Sequence, residues 1–134
     1  MELGGNFGQH LVIDFKIDDL NKLNDKEFLI MWVRTLVSDL NMNIHSIDGK
    51  DAIMMDTWGS ETERPEIHGT SCGVVLITTS SITFHTVVDT YDKNKGIIYL
   101  DIFSCKHFTR EIVQKNIDIH FNKPEVIRWQ LLER

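Results

Sequence analysis

Ser80, His85 and Cys105 are the side chains best suited to covalent chemistry in this sequence. A serine hydroxyl is a nucleophile once its carbonyl target is held close, a histidine moves protons near neutral pH, and a thiol can do either. Ser80 lies in the Thr78-Thr79-Ser80-Ser81 junction between two apolar, β-branched runs, and His85 is five residues further on. Cys105 ends a third run of the same kind, Leu100 to Cys105. Residue types alone leave ordinary readings open. Thr78 to Ser81 suits a hydroxyl-rich turn, His85 a hydrogen-bonded structural histidine, and Cys72 and Cys105 buried thiols.

Those residues must be positioned by strands. Leu11 to Ile17, Val74 to Ile77, Ile82 to Val88 and Ile97 to Phe103 carry the apolar alternation of β-strands. Ile44 to Ile47 and Ala52 to Met55 are shorter candidates around the turn Asp48-Gly49-Lys50. Phe28, Trp32, Leu36 and Leu40 recur every four residues after Asp25, which predicts an amphipathic helix with an aspartate N-cap. Phe108, Ile112, Val113 and Ile117 predict a second helix, stopped at Asn122-Lys123-Pro124. Ile127, Trp129 and Leu131 then alternate as a half-buried strand. The order β-α-β-β-β-β-β-α-β predicts an α+β fold, an antiparallel sheet with both helices on one face. Met1 to Phe7 reads as a loose start, Asp89 to Gly96 as a polar turn, and Gly59 to Gly69 as an exposed charged loop.

Composition narrows the function. The 134 residues suit one domain, 1–134, and 42% hydrophobic with 25% charged residues is an ordinary globular balance. The net charge of -6 and the lack of a basic run argue against nucleic acid. No apolar run approaches the ~20 residues that span a membrane, and no basic stretch precedes an apolar segment as in a signal peptide. Two cysteines do not make a disulfide framework, so reduced thiols and the cytoplasm are expected. No HExxH or CxxC pattern is present, so no metal site is expected.

Taken in order, these pieces resemble the small prokaryotic S-adenosylmethionine decarboxylase proenzymes. That family's central strands read roughly GVVLLAESHISIHTWPE and then VDVFTCG. This chain has GVVLITTSSITFHT from Gly73 to Thr86 and LDIFSC from Leu100 to Cys105. Gly8, His10, Leu11 and Asp14 match the family's GxHLxxD start. The resemblance implies a two-layer α/β sandwich and self-cleavage between Thr79 and Ser80. Ser80 Oγ would attack the Thr79 carbonyl to give an ester. Loss of the Ser80 α-proton would eliminate it, and hydrolysis would leave a pyruvoyl group at residue 80. His85 matches the histidine that assists processing. Cys105 matches the cysteine that protonates the substrate during decarboxylation. Cys72, with Ser71 beside it, stands where the family has a processing serine. Asp89 keeps a carboxylate where the family holds the ribose hydroxyls.

The implied substrate is S-adenosylmethionine, the implied product serves spermidine and other polyamine synthesis, and the implied assembly is a homodimer whose sites draw on both protomers. Several positions depart from the family: Thr79 replaces its Glu, Ser81 its His, and Val87-Val88-Asp89 its Trp-Pro-Glu. These departures leave two other expectations in play: a pyruvoyl decarboxylase of arginine or ornithine, and an uncleaved homologue acting as a regulatory or binding subunit.

Overall fold

The computed structural model describes residues 8–59 and 69–133. Eight strands and two helices run in the order β1 (Gln9–Ile17), α1 (Lys26–Asp39), β2 (Ser46–Ile47), β3 (Lys50–Asp51), β4 (Ile53–Trp58), β5 (Thr70–Ile77), β6 (Ser80–Val88), β7 (Gly96–Ser104), α2 (Arg110–Phe121) and β8 (Glu125–Glu133). Six strands form one antiparallel sheet in the order β4-β5-β6-β7-β1-β8. Both helices pack on one of its faces, so the expected α+β two-layer sandwich is what the chain forms.

Alternation makes the two layers. Leu11, Ile13, Phe15 and Ile17 on β1 are buried, as are Val75 and Ile77 on β5, Ile82 and Phe84 on β6, and Ile98, Leu100 and Ile102 on β7. Because strand side chains alternate, these all point to the helix side, and their neighbours form an open face. Asp25 caps α1, its Oδ1 accepting from the Phe28 N–H at 3.1 Å. Thr109 caps α2 through the Ile112 N–H, and Asn122 ends it with φ 57°. Trp32 on α1 lies among Phe15, Phe84 and Phe121. Its Nε1 donates to Asn116 Oδ1 on α2 at 2.9 Å, and Asn116 Nδ2 donates to Asp39 at 3.0 Å.

Backbone approaches are tight at Gly73, where a Cβ would lie 2.5 Å from the Phe84 ring across the strand pair. Gly73→Ala is therefore expected to lower stability by about 1–3 kcal/mol, read by urea unfolding, because Phe84 is fully buried and cannot swing aside.

Four details differ from the sequence expectation. The chain has one strand more, because β2 and β3 form a separate hairpin. Asp48 and Gly49 both adopt positive φ, the geometry of a two-residue hairpin turn, and pair Ile47 with Lys50. Residues 20–23 form a single 3₁₀ turn within the expected polar stretch. Phe108 precedes α2 instead of joining it, and its N–H donates to Gln9 Oε1 at 2.7 Å. On β8 a register shift at Asp14/Phe15 leaves Ile127 half exposed, and Trp129 opposite Ile13 is nearly as exposed, with the Arg110 guanidinium 3.9 Å over its ring. The expected loose start at 1–7 and most of the expected loop at 59–69 lie outside the described residues.

Candidate functional site

The β5–β6 hairpin turns on only two residues, Thr78 and Thr79, with Ile77 paired to Ser80. Thr79 takes φ 66°. A β-branched residue at positive φ costs about 1–3 kcal/mol, so this turn holds strain where Gly or Asn would not. The strained residue carries the carbonyl that Ser80 would attack.

Cys105 leaves β7 beside that turn. Its thiol donates to the Thr79 carbonyl oxygen at 3.0 Å, and its N–H donates to Ser80 Oγ at 3.3 Å. The buried Ser104 fixes the geometry: its hydroxyl donates to the Lys106 carbonyl at 2.8 Å and accepts from the Lys106 N–H at 2.9 Å. Hydroxyl, adjacent carbonyl and thiol thus meet at one end of the sheet. The arrangement suits acyl transfer, with a nucleophile next to a carbonyl whose oxygen already has a donor.

His85 is elsewhere. Five residues along β6 is about 16 Å, and an odd separation reverses the face. His85 is exposed on the open face, cross-strand from Cys72 on one side and Tyr99 on the other. One copy of the chain does not bring His85 to Ser80.

A profile of the S-adenosylmethionine decarboxylase family matches residues 9–134. The chain belongs to the S-adenosylmethionine decarboxylase family. Among solved structures, the adenosylmethionine decarboxylase from Aquifex aeolicus VF5 is similar in fold, with a TM-score of 0.63 at 18% identity, over 96% of this chain and 88% of that one. A search of curated proteins found no match.

Within this decarboxylase-family fold the other expected residues separate. Ser71 is buried on the helix side, where its hydroxyl and that of Thr86 both donate to the Leu23 carbonyl, at 2.6 and 2.5 Å. That clamp ties the 3₁₀ turn to β5 and β6, and it leaves Cys72 as the one of the pair that flanks His85. Asp89 lies just beyond the far end of β6, about 30 Å along the strand from Ser80. It is buried, contacts Lys16 Nζ at 3.2 Å and accepts from the Tyr91 N–H at 3.0 Å. The Tyr91 N–H holds its carboxyl below the usual range; burial opposes this and Lys16 assists. A depressed folded pKa stabilises the fold above the ordinary carboxylate range, and that contribution fades as pH falls through the folded value. Asp89→Asn should therefore lower the Tm at pH 7, with the gap to the native chain closing below about pH 4; thermal melts across pH 2–7 read this.

Sequence reasoning missed two neighbours of Ser80. His45 joins Leu76, Ser81 and Phe103 around a cavity of about 430 Å³ on the open-face side of the turn. The Ile44–Ile77 bridge and the His45 N–H, which donates to the Leu76 carbonyl at 2.8 Å, place it there, and no local pattern announces these contacts. Lys106 lines a second cavity of about 330 Å³ with Met42, Asn43 and Ser80; its position directly after Cys105 was the available signal.

The open face carries one polar group that the GxHLxxD resemblance touched. His10 Nε2 lies 3.1 Å from Asp101 Oδ1. Asp14, beside them on β1, has its pKa raised by burial, with Arg128 opposing and Asp101 adding to the rise. On the same face Tyr99, cross-strand from Asp14, and Met54, Val74 and Leu76 on β4 and β5 stay substantially exposed. Among the described residues no cluster has the make-up of a metal site, and no helix is long and apolar enough to cross a membrane.

Proposed function

We propose that this chain cleaves itself between Thr79 and Ser80 and then decarboxylates S-adenosylmethionine. The observation that carries the reading is the contact of Cys105 with both sides of that bond, 3.0 Å to the Thr79 oxygen and 3.3 Å to Ser80 Oγ. Family membership supplies the reaction class.

The chain's own residues divide the work. Ser80 Oγ attacks the Thr79 carbonyl, the Cys105 S–H steadies the oxygen as it gains charge, and the strain at Thr79 is relieved as the amide is broken. The pyruvoyl group left at residue 80 supplies an electron sink for decarboxylation. Cys105, exposed beside residue 80, then delivers a proton to the substrate carbon that has lost its carboxylate.

His85 and Cys72 enter from a second copy. They sit on the face opposite Ser80's side chain, within a half-exposed apolar surface that a homodimer would bury. The acidic open face, with Asp14, Asp56 and Asp101, suits a sulfonium substrate. The product would serve polyamine synthesis, spermidine included, and the cytoplasm suits two free thiols.

A second reading draws on Asp89. With its carboxylate engaged by Lys16 and Tyr91, it is not free to hold ribose hydroxyls, which favours an amine substrate without ribose, such as arginine or ornithine. Labelled CO₂ release from S-adenosylmethionine, arginine and ornithine decides between the two. Turnover of S-adenosylmethionine alone supports the first. Release only from a basic amino acid would replace it.

A further inference from the structure

Lys106 lines the same cavity as Ser80, the residue at the centre of this chemistry. Residue 105 touches Ser80 through its backbone N–H, and Lys106 is the next residue, held in a tight turn by two hydrogen bonds to the buried Ser104. Among the described residues, Lys106 is the one charged side chain lining the cavity of about 330 Å³ that takes in Met42, Thr78, Thr79 and Ser80. Its ammonium donates to the Asn41 carbonyl at 3.2 Å. The residue is otherwise exposed, so its four-carbon stem is free to turn.

An amine at this wall has two uses in a decarboxylase. Pairing with the substrate's reacting carboxylate would stabilise the ground state more than a transition state in which that charge is leaving, and so would slow the reaction. Condensing with a carbonyl carries no such penalty. A lysine amine beside a ketone forms an imine, and confinement in one cavity raises its effective concentration far above that of free amines.

Resting on the self-cleavage reading above, we propose that Lys106 caps the ketone left at residue 80 as an internal imine. One C=N bond forms, the C=O bond breaks, its oxygen leaves as water, and the ammonium's extra proton passes to solvent. An incoming substrate amine then exchanges with Lys106, which is released as the free amine. The cap shields the ketone from stray cellular amines and prepares it for exchange.

The test is reductive trapping. The native protein is freed of small amines by gel filtration, treated with cyanoborohydride in an amine-free buffer, and weighed intact. Loss of one water and gain of two hydrogens makes the 80–134 fragment about 16 Da lighter than the untreated ketone form, with fragmentation joining residue 80 to Lys106. Lys106→Arg keeps the charge but cannot form the link, so its fragment should be unchanged or about 2 Da heavier through ketone reduction. A native fragment that is unchanged or only about 2 Da heavier, or one linked through another lysine, would overturn the proposal. A chain that stays whole would instead remove the self-cleavage reading beneath it, and the mass alone separates that outcome from the others.

Discussion

Ser80→Ala will leave a single 15.6 kDa chain under denaturing conditions, whatever the incubation time. The alanine keeps the hairpin, since residue 80 pairs with Ile77 through its backbone, but it has no oxygen to receive the Thr79 acyl group. The companion substitutions make the result specific. Cys105→Ala removes the donor on the Thr79 oxygen. A preorganised oxyanion donor is worth about 10²–10³ in rate, and a thiol is a weaker donor than an amide. Cleavage should therefore slow roughly tenfold to hundredfold without stopping. Cys105→Ser restores a donor and should cleave nearly normally, yet its poorly acidic hydroxyl will not replace the thiol as proton source in turnover. Time courses on gels read the first effect, and CO₂ release the second. Equal cleavage by the alanine variant and the native chain would remove Cys105 from processing.

Mixing two dead variants should restore activity. Ser80→Ala lacks the nucleophile and His85→Ala the assisting histidine. If each site takes Ser80 from one protomer and His85 from its partner, a mixed dimer holds one intact site and one doubly broken site. Random pairing makes half the dimers mixed, so about a quarter of the native activity should return. The physical basis is the sheet: an odd spacing of five residues and about 16 Å of strand keep His85 from its own Ser80. Co-expression followed by turnover and intact-mass measurement reads the recovery. No recovery, together with full activity in His85→Ala, would mean that His85 has no part in the reaction.

Where local chemistry dictates structure, the sequence showed it. The Asp25 cap and the four-residue apolar spacing after it place α1, and the strand alternation from Val74 to Phe103 places the three central strands. The pairing of Ser80 with Cys105 was legible only through the family resemblance, because it depends on β6 and β7 being neighbours. Alternation put His85 on the same face as Thr83 and Val87, but which face the helices cover is settled by packing across the whole sheet. The family resemblance marks Asp89 as a substrate ligand through its offset of four residues from His85. Its commitment to Lys16, on a strand 73 positions earlier in the chain, is not a local signal. The Asp48-Gly49 turn was read correctly as a turn, yet the short hairpin it closes is separate from the strand that follows.

The central claim is the broken bond. Denaturing intact-mass analysis of the untagged protein tests it most directly. The account predicts two species, residues 1–79 and residues 80–134, the second about 17 Da lighter than a serine-initiated fragment and blocked to amine-terminal sequencing, as a pyruvoyl end requires. One species of 15.6 kDa that persists for days would contradict it and would leave this chain as an uncleaved member of its family.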